Sequence, residues 1–163
     1  MPIISPHKTN PLIDGRQSDR ALAVRRGVQK LLSQMGAAHV PELTLANGRR
    51  ADLAAIFRDG TIWIIEIKSS AEDIKSDHKW PDYFDYCDQL FFATLDDVPQ
   101  SLFPNDAGFM LADARGAAII EDCPVQKLNA ARRKAITLRF AQFAAKRLHL
   151  AELAGYNVVP EQN

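Results

Sequence analysis

The chain has 163 residues, which suits one domain of the usual ~100–200 residues, and its 47% hydrophobic and 25% charged residues are ordinary for a soluble globular protein. Twenty Lys and Arg balance twenty Asp and Glu, so a chain-wide basic surface is excluded and any nucleic-acid contact has to come from a local patch. No stretch reaches the ~18–20 apolar residues of a membrane span, and the polar, proline-bearing start lacks the apolar segment of a signal peptide. The two cysteines, Cys87 and Cys123, are far apart and have no partners at zinc spacing, so free thiols in a reducing cytoplasm are expected.

Residues 1–17 read as a flexible arm, 18–155 as a single domain and 156–163 as a tail. Ser18 or Asp19 caps a first helix that runs to Met35, with Leu22, Val24, Val28, Leu31, Leu32 and Met35 at near-helical spacing and Gly36 as its stop. Three strand-like runs follow, at residues 40–45, 50–57 and 62–68, separated by Asn47-Gly48 and Asp59-Gly60. Ser70 opens a helix with Asp73 at the third position of a weak capping box, and that helix breaks near Trp80-Pro81. Residues 90–95 form the next strand. The helical crossover that leads to it from residues 62–68 requires the two strands to be parallel. A hairpin spans residues 107–113 and 117–121. An alanine-rich helix follows from about Val125 to Leu153, with Leu128, Ala131, Ala135, Leu138, Ala145 and Leu148 along one face. The expected class is α/β: an antiparallel three-strand meander plus a parallel strand, flanked by helices.

Chemistry concentrates on Glu66 and Lys68, two apart on one strand and therefore on one face. They stand at the end of an apolar run, where charge is costly unless paired or bound to metal. Parity decides whether Asp52 on the preceding strand meets them. A two-residue Asp59-Gly60 loop would turn Asp52 to the opposite face. A three-residue loop, Arg58-Asp59-Gly60, sets Asp52 across from Glu66. The same loop length at Ala46-Asn47-Gly48 sets Glu42 across from Asp52, giving a row of three carboxylates. Oxygen ligands of that kind suit Mg2+ or Mn2+. Asp52 and Glu66 are the expected ligands, with the Ile67 carbonyl as a third and Glu42 supporting a second ion or a bridging water. Lys68 is placed to orient or deprotonate a water, or to stabilise charge at phosphorus.

In this arrangement the sequence resembles the PD-(D/E)xK nuclease superfamily, through Asp52 and Glu66-Ile67-Lys68. More specifically it resembles the MmcB-type bacterial DNA-repair family, through Glu42-Leu-Thr-Leu, Gly48-Arg-Arg-Ala-Asp52, Ile64-Ile-Glu-Ile-Lys-Ser-Ser70, Lys79-Trp-Pro-Asp-Tyr83, Tyr86-Cys-Asp88 and Arg132-Arg-Lys-Ala. The resemblance implies a restriction-endonuclease-like fold, a DNA-repair endonuclease, and DNA and other repair proteins as partners. Many members of the wider superfamily carry an acidic residue on the first helix. This chain offers only Asp19 there, so Glu42 stands as a substitute.

Each assignment has a plainer counterpart. Glu66 and Lys68 also read as a salt-bridged strand end, and Glu42, beside Pro41, as a solvated edge residue. Lys79, Trp80 and Tyr83 either line a groove that stacks on bases or simply pack. Arg25, Arg26, Arg49 and Arg50 are candidate phosphate contacts. Arg132, Arg139 and Lys146, at seven-residue steps, usually mark a solvated face. A non-catalytic DNA-binding or adaptor protein that keeps the fold is the alternative function.

Overall fold

The computed structural model describes residues 17–156, so the expected arm and tail lie outside the described residues apart from Gln17 and Tyr156. In chain order the elements are α1 (Asp19–Gln34), β1 (Ala38–Thr44), β2 (Arg50–Ile56), β3 (Ile62–Ile67), α2 (Ala71–Ser76), β4 (Gln89–Thr94), β5 (Gly108–Asp113), β6 (Gly116–Glu121) and α3 (Ala130–Leu153). A 3-10 helix, Trp80–Tyr86, joins α2 to β4. The strands form one sheet in the order β1-β2-β3-β4-β5-β6. β1, β2 and β3 are a meander, β4 runs parallel to both β3 and β5, and β6 returns antiparallel. The expected mixed α/β sheet is therefore present, with the parallel β3–β4 pair in place.

Both hairpin loops have three residues. The Leu45 N–H donates to the Arg49 carbonyl at 2.7 Å, and the Phe57 N–H donates to the Thr61 carbonyl at 2.9 Å. Gly48 (φ 83°) and Gly60 (φ 86°) take the left-handed position that such loops require. In each, the residue before the glycine caps the turn: Asn47 accepts the Arg49 N–H at 3.0 Å and Asp59 the Thr61 N–H at 2.9 Å. The registers follow, with Val40 opposite Ala54 and Leu53 opposite Ile65.

Cores lie on both faces of the sheet. On one, Leu53, Ile65, Phe91 and Met110 pack against Val24, Val28 and Leu32 of α1. On the other, Ile64, Leu90 and Phe92 meet Tyr83 and, from α3, Ile136 and Phe140. β3 and β4 are buried along their whole length, as the central strands of a sheet covered on both sides must be. α1 lies so close to the β5–β6 hairpin that a Cβ on Gly27 would stand 2.0 Å from the Asp113 carbonyl oxygen.

α3 departs from expectation in two ways. It starts at Ala130, where the Asn129 side chain accepts the Arg132 N–H, and not at Val125. Its packed side is Ile136 and Phe140, with Phe143 and Ala144, whereas Leu138 and Leu148 are exposed. Alanine at so many positions leaves several faces equally apolar, so spacing alone does not choose among them.

Candidate active site

Asp52 and Glu66 lie where β2 and β3 part. Paired backbone runs as far as Leu53 and Ile65. Beyond that pair the carboxylates take over the ladder: Glu66 Oε1 accepts the Asp52 N–H at 3.1 Å and Asp52 Oδ2 accepts the Ile67 N–H at 2.8 Å. Each acid is thus fixed by the other's strand, and the loop parity read from the sequence has brought them together.

Their electrostatics are unfavourable. Glu66 is 4% exposed. Its carboxyl is held well above the usual range, first by burial and then by the negative charge of Asp52. Asp52 is also pushed up by burial, against the opposing pull of the Ile67 N–H and the Lys68 charge. Lys68 is buried two residues beyond Glu66. Its backbone is pinned to β4, because its N–H donates to the Ala93 carbonyl at 3.0 Å and its carbonyl accepts from Thr94 Oγ1 at 2.7 Å. Its ammonium donates to Asp77 Oδ2 at 2.5 Å. Burial acts to raise the Asp77 pKa, but the Lys68 bond and the Lys79 and Trp80 N–H groups outweigh it and hold the carboxyl below its ordinary value.

Glu42 opposes Asp52 in the register that continues on both sides of it. It is not a solvated edge residue: it is 8% exposed, its Oε1 has no hydrogen-bond partner, and its φ is 60°, the one positive φ of a non-glycine among the described residues. A left-handed residue breaks strand alternation, which is why Val40 and Leu43, an odd number apart, share a core. Among the described residues, no group of three or more His, Cys, Asp or Glu is arranged to hold a metal ion. Asp52 and Glu66 therefore stand as a pair, without Glu42 completing a three-ligand cluster.

The candidate DNA contacts divide. Arg26, Arg50 and Lys79 are exposed. Arg49 pairs with Asp82 at 3.1 Å. Arg25 is 6% exposed, too deep for a surface contact. Its pKa is lowered by burial, against the raising effect of the Glu42 and Asp52 charges. Trp80 packs edge-on against Phe84 and Phe92, with ring centroids 5.7 and 5.8 Å apart. Tyr83 is buried, its hydroxyl donating to the Arg50 carbonyl at 3.0 Å. Both aromatics therefore serve the core. Both cysteines are free and buried.

Sequence reasoning missed Asp77, Thr94 and the Asp88–Arg133 pair. Asp77 follows a six-residue helix in an aperiodic stretch, and Thr94 looks like any β-branched strand residue. The signal for Asp88 and Arg133 was their presence in the family-like segments Tyr86-Cys-Asp88 and Arg132-Arg-Lys-Ala, which no chemistry had been assigned to explain.

No helix among the described residues is long and apolar enough to cross a membrane. No curated protein matches the sequence. A solved structure of a Silicibacter pomeroyi protein of unknown function is 36% identical, with a TM-score of 0.80 over 88% of this chain and 99% of its own. The model of the MmcB-like DNA repair proteins matches residues 8–155. With nearly its whole length matched, the chain belongs to the MmcB-like DNA repair protein family.

Proposed function

We propose that the protein is a Mg2+- or Mn2+-dependent DNA endonuclease of the PD-(D/E)xK type, working in DNA repair. The observation that carries this reading is the Asp52–Glu66 pair at the parting of β2 and β3, Glu66 buried and Asp52 half-buried, with both carboxyls raised and Lys68 two residues on. Two carboxylates fit an ion that prefers oxygen and keeps several waters, as Mg2+ does with one or two protein carboxylates. Asp52 and Glu66 would hold it, with the Ile67 carbonyl as a third donor. Bound there, the ion supplies Lewis acidity to a phosphate and acidifies a water.

The remaining work falls to this chain's own groups. Asp77 fixes the position of the Lys68 ammonium, which then orients the attacking water or stabilises the charge that develops at phosphorus. Glu42, with its unsatisfied Oε1, would accept from a bridging water. Arg26, Arg50 and Lys79 would meet DNA phosphates. Cleavage of nicked, flapped, single-stranded and duplex DNA, with and without Mg2+, tests the proposal. Metal-dependent products are expected, lost by about 10²–10³-fold in Glu66→Ala. DNA binding without cleavage on any substrate would favour a non-catalytic adaptor that retains the fold.

A further inference from the structure

We infer that Asp88 and Arg133 are positioning residues that set the placement of β3, and with it the placement of Glu66 and Lys68. The inference concerns the end of β3 opposite the carboxylate pair, and its catalytic half rests on the nuclease reading above.

The Asp88 side chain is 2% exposed and that of Arg133 24%. Their two hydrogen bonds form a fork, Nη1 to Oδ2 and Nη2 to Oδ1, each 2.7 Å. The same carboxylate accepts the Ile62 N–H at 2.7 Å and the Leu128 N–H at 2.9 Å. The Asp88 N–H donates to the Ile62 carbonyl at 2.8 Å, and Arg133 Nη1 also donates to the Gly60 carbonyl at 2.7 Å. Three backbone groups at the tip and first residue of β3 are therefore held from the start of β4 and the first turn of α3.

A buried ion pair is a weak source of stability, because apolar residues of similar size often stabilise as much or more. Its better-attested use is to specify register, and register is what these bonds address. Gly60 closes the loop whose three-residue length places Asp52 across from Glu66. Ile62 sets how far β3 extends along β4. Sliding β3 by one residue would leave the Asp88 carboxylate, the Gly60 carbonyl and the guanidinium without their partners. The same slide would move Glu66 to the other face of the sheet. Glu66 lies four residues on, about 13 Å along the strand, so the pair acts on it only through the backbone.

The test compares Arg133→Ala, Arg133→Lys and, as a control on the same helix, Lys134→Ala, whose side chain is exposed. Amide hydrogen exchange is read at Asp52 and Ile67, whose N–H groups are held by the carboxylates, and at Met110 and Leu111 of β5. In Arg133→Ala, exchange at Asp52 and Ile67 is expected to rise about tenfold or more while β5 changes by less than about twofold. Arg133→Lys should recover part of the protection, and Lys134→Ala should match wild type. In DNA cleavage, Arg133→Ala should lower kcat by about tenfold with KM little changed. A uniform rise across the sheet would overturn the inference, as would a rise confined to Gly60 and Ile62. A wild-type protein without cleavage activity would count against the nuclease reading alone, because the exchange experiment decides the positioning role independently.

Discussion

The two ends of β3 each bury carboxylates, and they do so in opposite ways. At the start of the strand, Asp88 accepts from two backbone N–H groups and a bidentate arginine, and its pKa falls despite burial. At the other end, Asp52 and Glu66 share few donors, face one another, and have raised pKas. A fully satisfied buried carboxylate is explained by the fold. A pair left short of positive charge is held in place at a cost to the fold, and that cost is what marks it as a candidate binding site.

Truncation should give the largest contrast. Asp88→Ala strips the partners from the buried Ile62 N–H, the half-buried Leu128 N–H and the partly exposed Arg133, and should cost about 2–4 kcal/mol. The urea midpoint, with the m-value unchanged, measures this. Glu66→Gln removes a buried charge yet keeps an oxygen for the Asp52 N–H. At pH 8 without divalent cation it should stabilise the protein. A loss at Glu66 comparable to that at Asp88 would erase the contrast.

Dependence on pH sharpens the comparison. Asp52 and Glu66 have folded pKas above their unfolded values, so the folded state binds more protons. Their contribution is complete below about pH 4 and is lost as pH rises through the folded values. Asp88 and Asp77 are depressed, so their contribution is present above about pH 4 and is lost as pH falls through the folded values. Without cation, stability should therefore decline on both sides of a mildly acidic maximum. Glu66→Gln should flatten only the limb on the alkaline side of that maximum. Urea midpoints across the range check this, and an unchanged limb in the variant would assign the decline to other groups.

The smallest effect concerns DNA. With no net charge, binding should be modest and salt-sensitive. Arg50→Ala should lower the slope of log K against log salt by ~0.9, the value for one phosphate contact on duplex DNA. Arg49→Ala, which also breaks the Arg49–Asp82 pair, is the companion variant. Fluorescence anisotropy on a labelled duplex at several salt concentrations measures both. Equal slopes for wild type and Arg50→Ala would place DNA elsewhere on the surface.

The pairing of Asp52 with Glu66 is legible in the sequence because two local signals agree. Gly48 and Gly60 permit three-residue loops, and the placement of the acids selects that length over the two-residue loop that Asn-Gly and Asp-Gly also suit. The strand order up to β4 is legible for a similar reason, since short loops force antiparallel neighbours and a helical crossover forces a parallel one. Other features depend on partners distant in sequence. The left-handed backbone of Glu42 has no local signal, because glutamate does not favour it. The Asp88–Arg133 fork joins residues 45 apart. The packed side of α3 is decided by what Ile136 and Phe140 meet.

Titration of the cation-free protein with Mn2+, followed by the loss of the free-ion electron paramagnetic resonance signal, tests the central claim most directly. The paired carboxylates predict saturable binding, weakened by at least about tenfold in Asp52→Ala and in Glu66→Gln while Asp77→Ala retains it. No binding at millimolar Mn2+, or binding that survives Asp52→Ala unchanged, would contradict the assignment of this pair as a metal site.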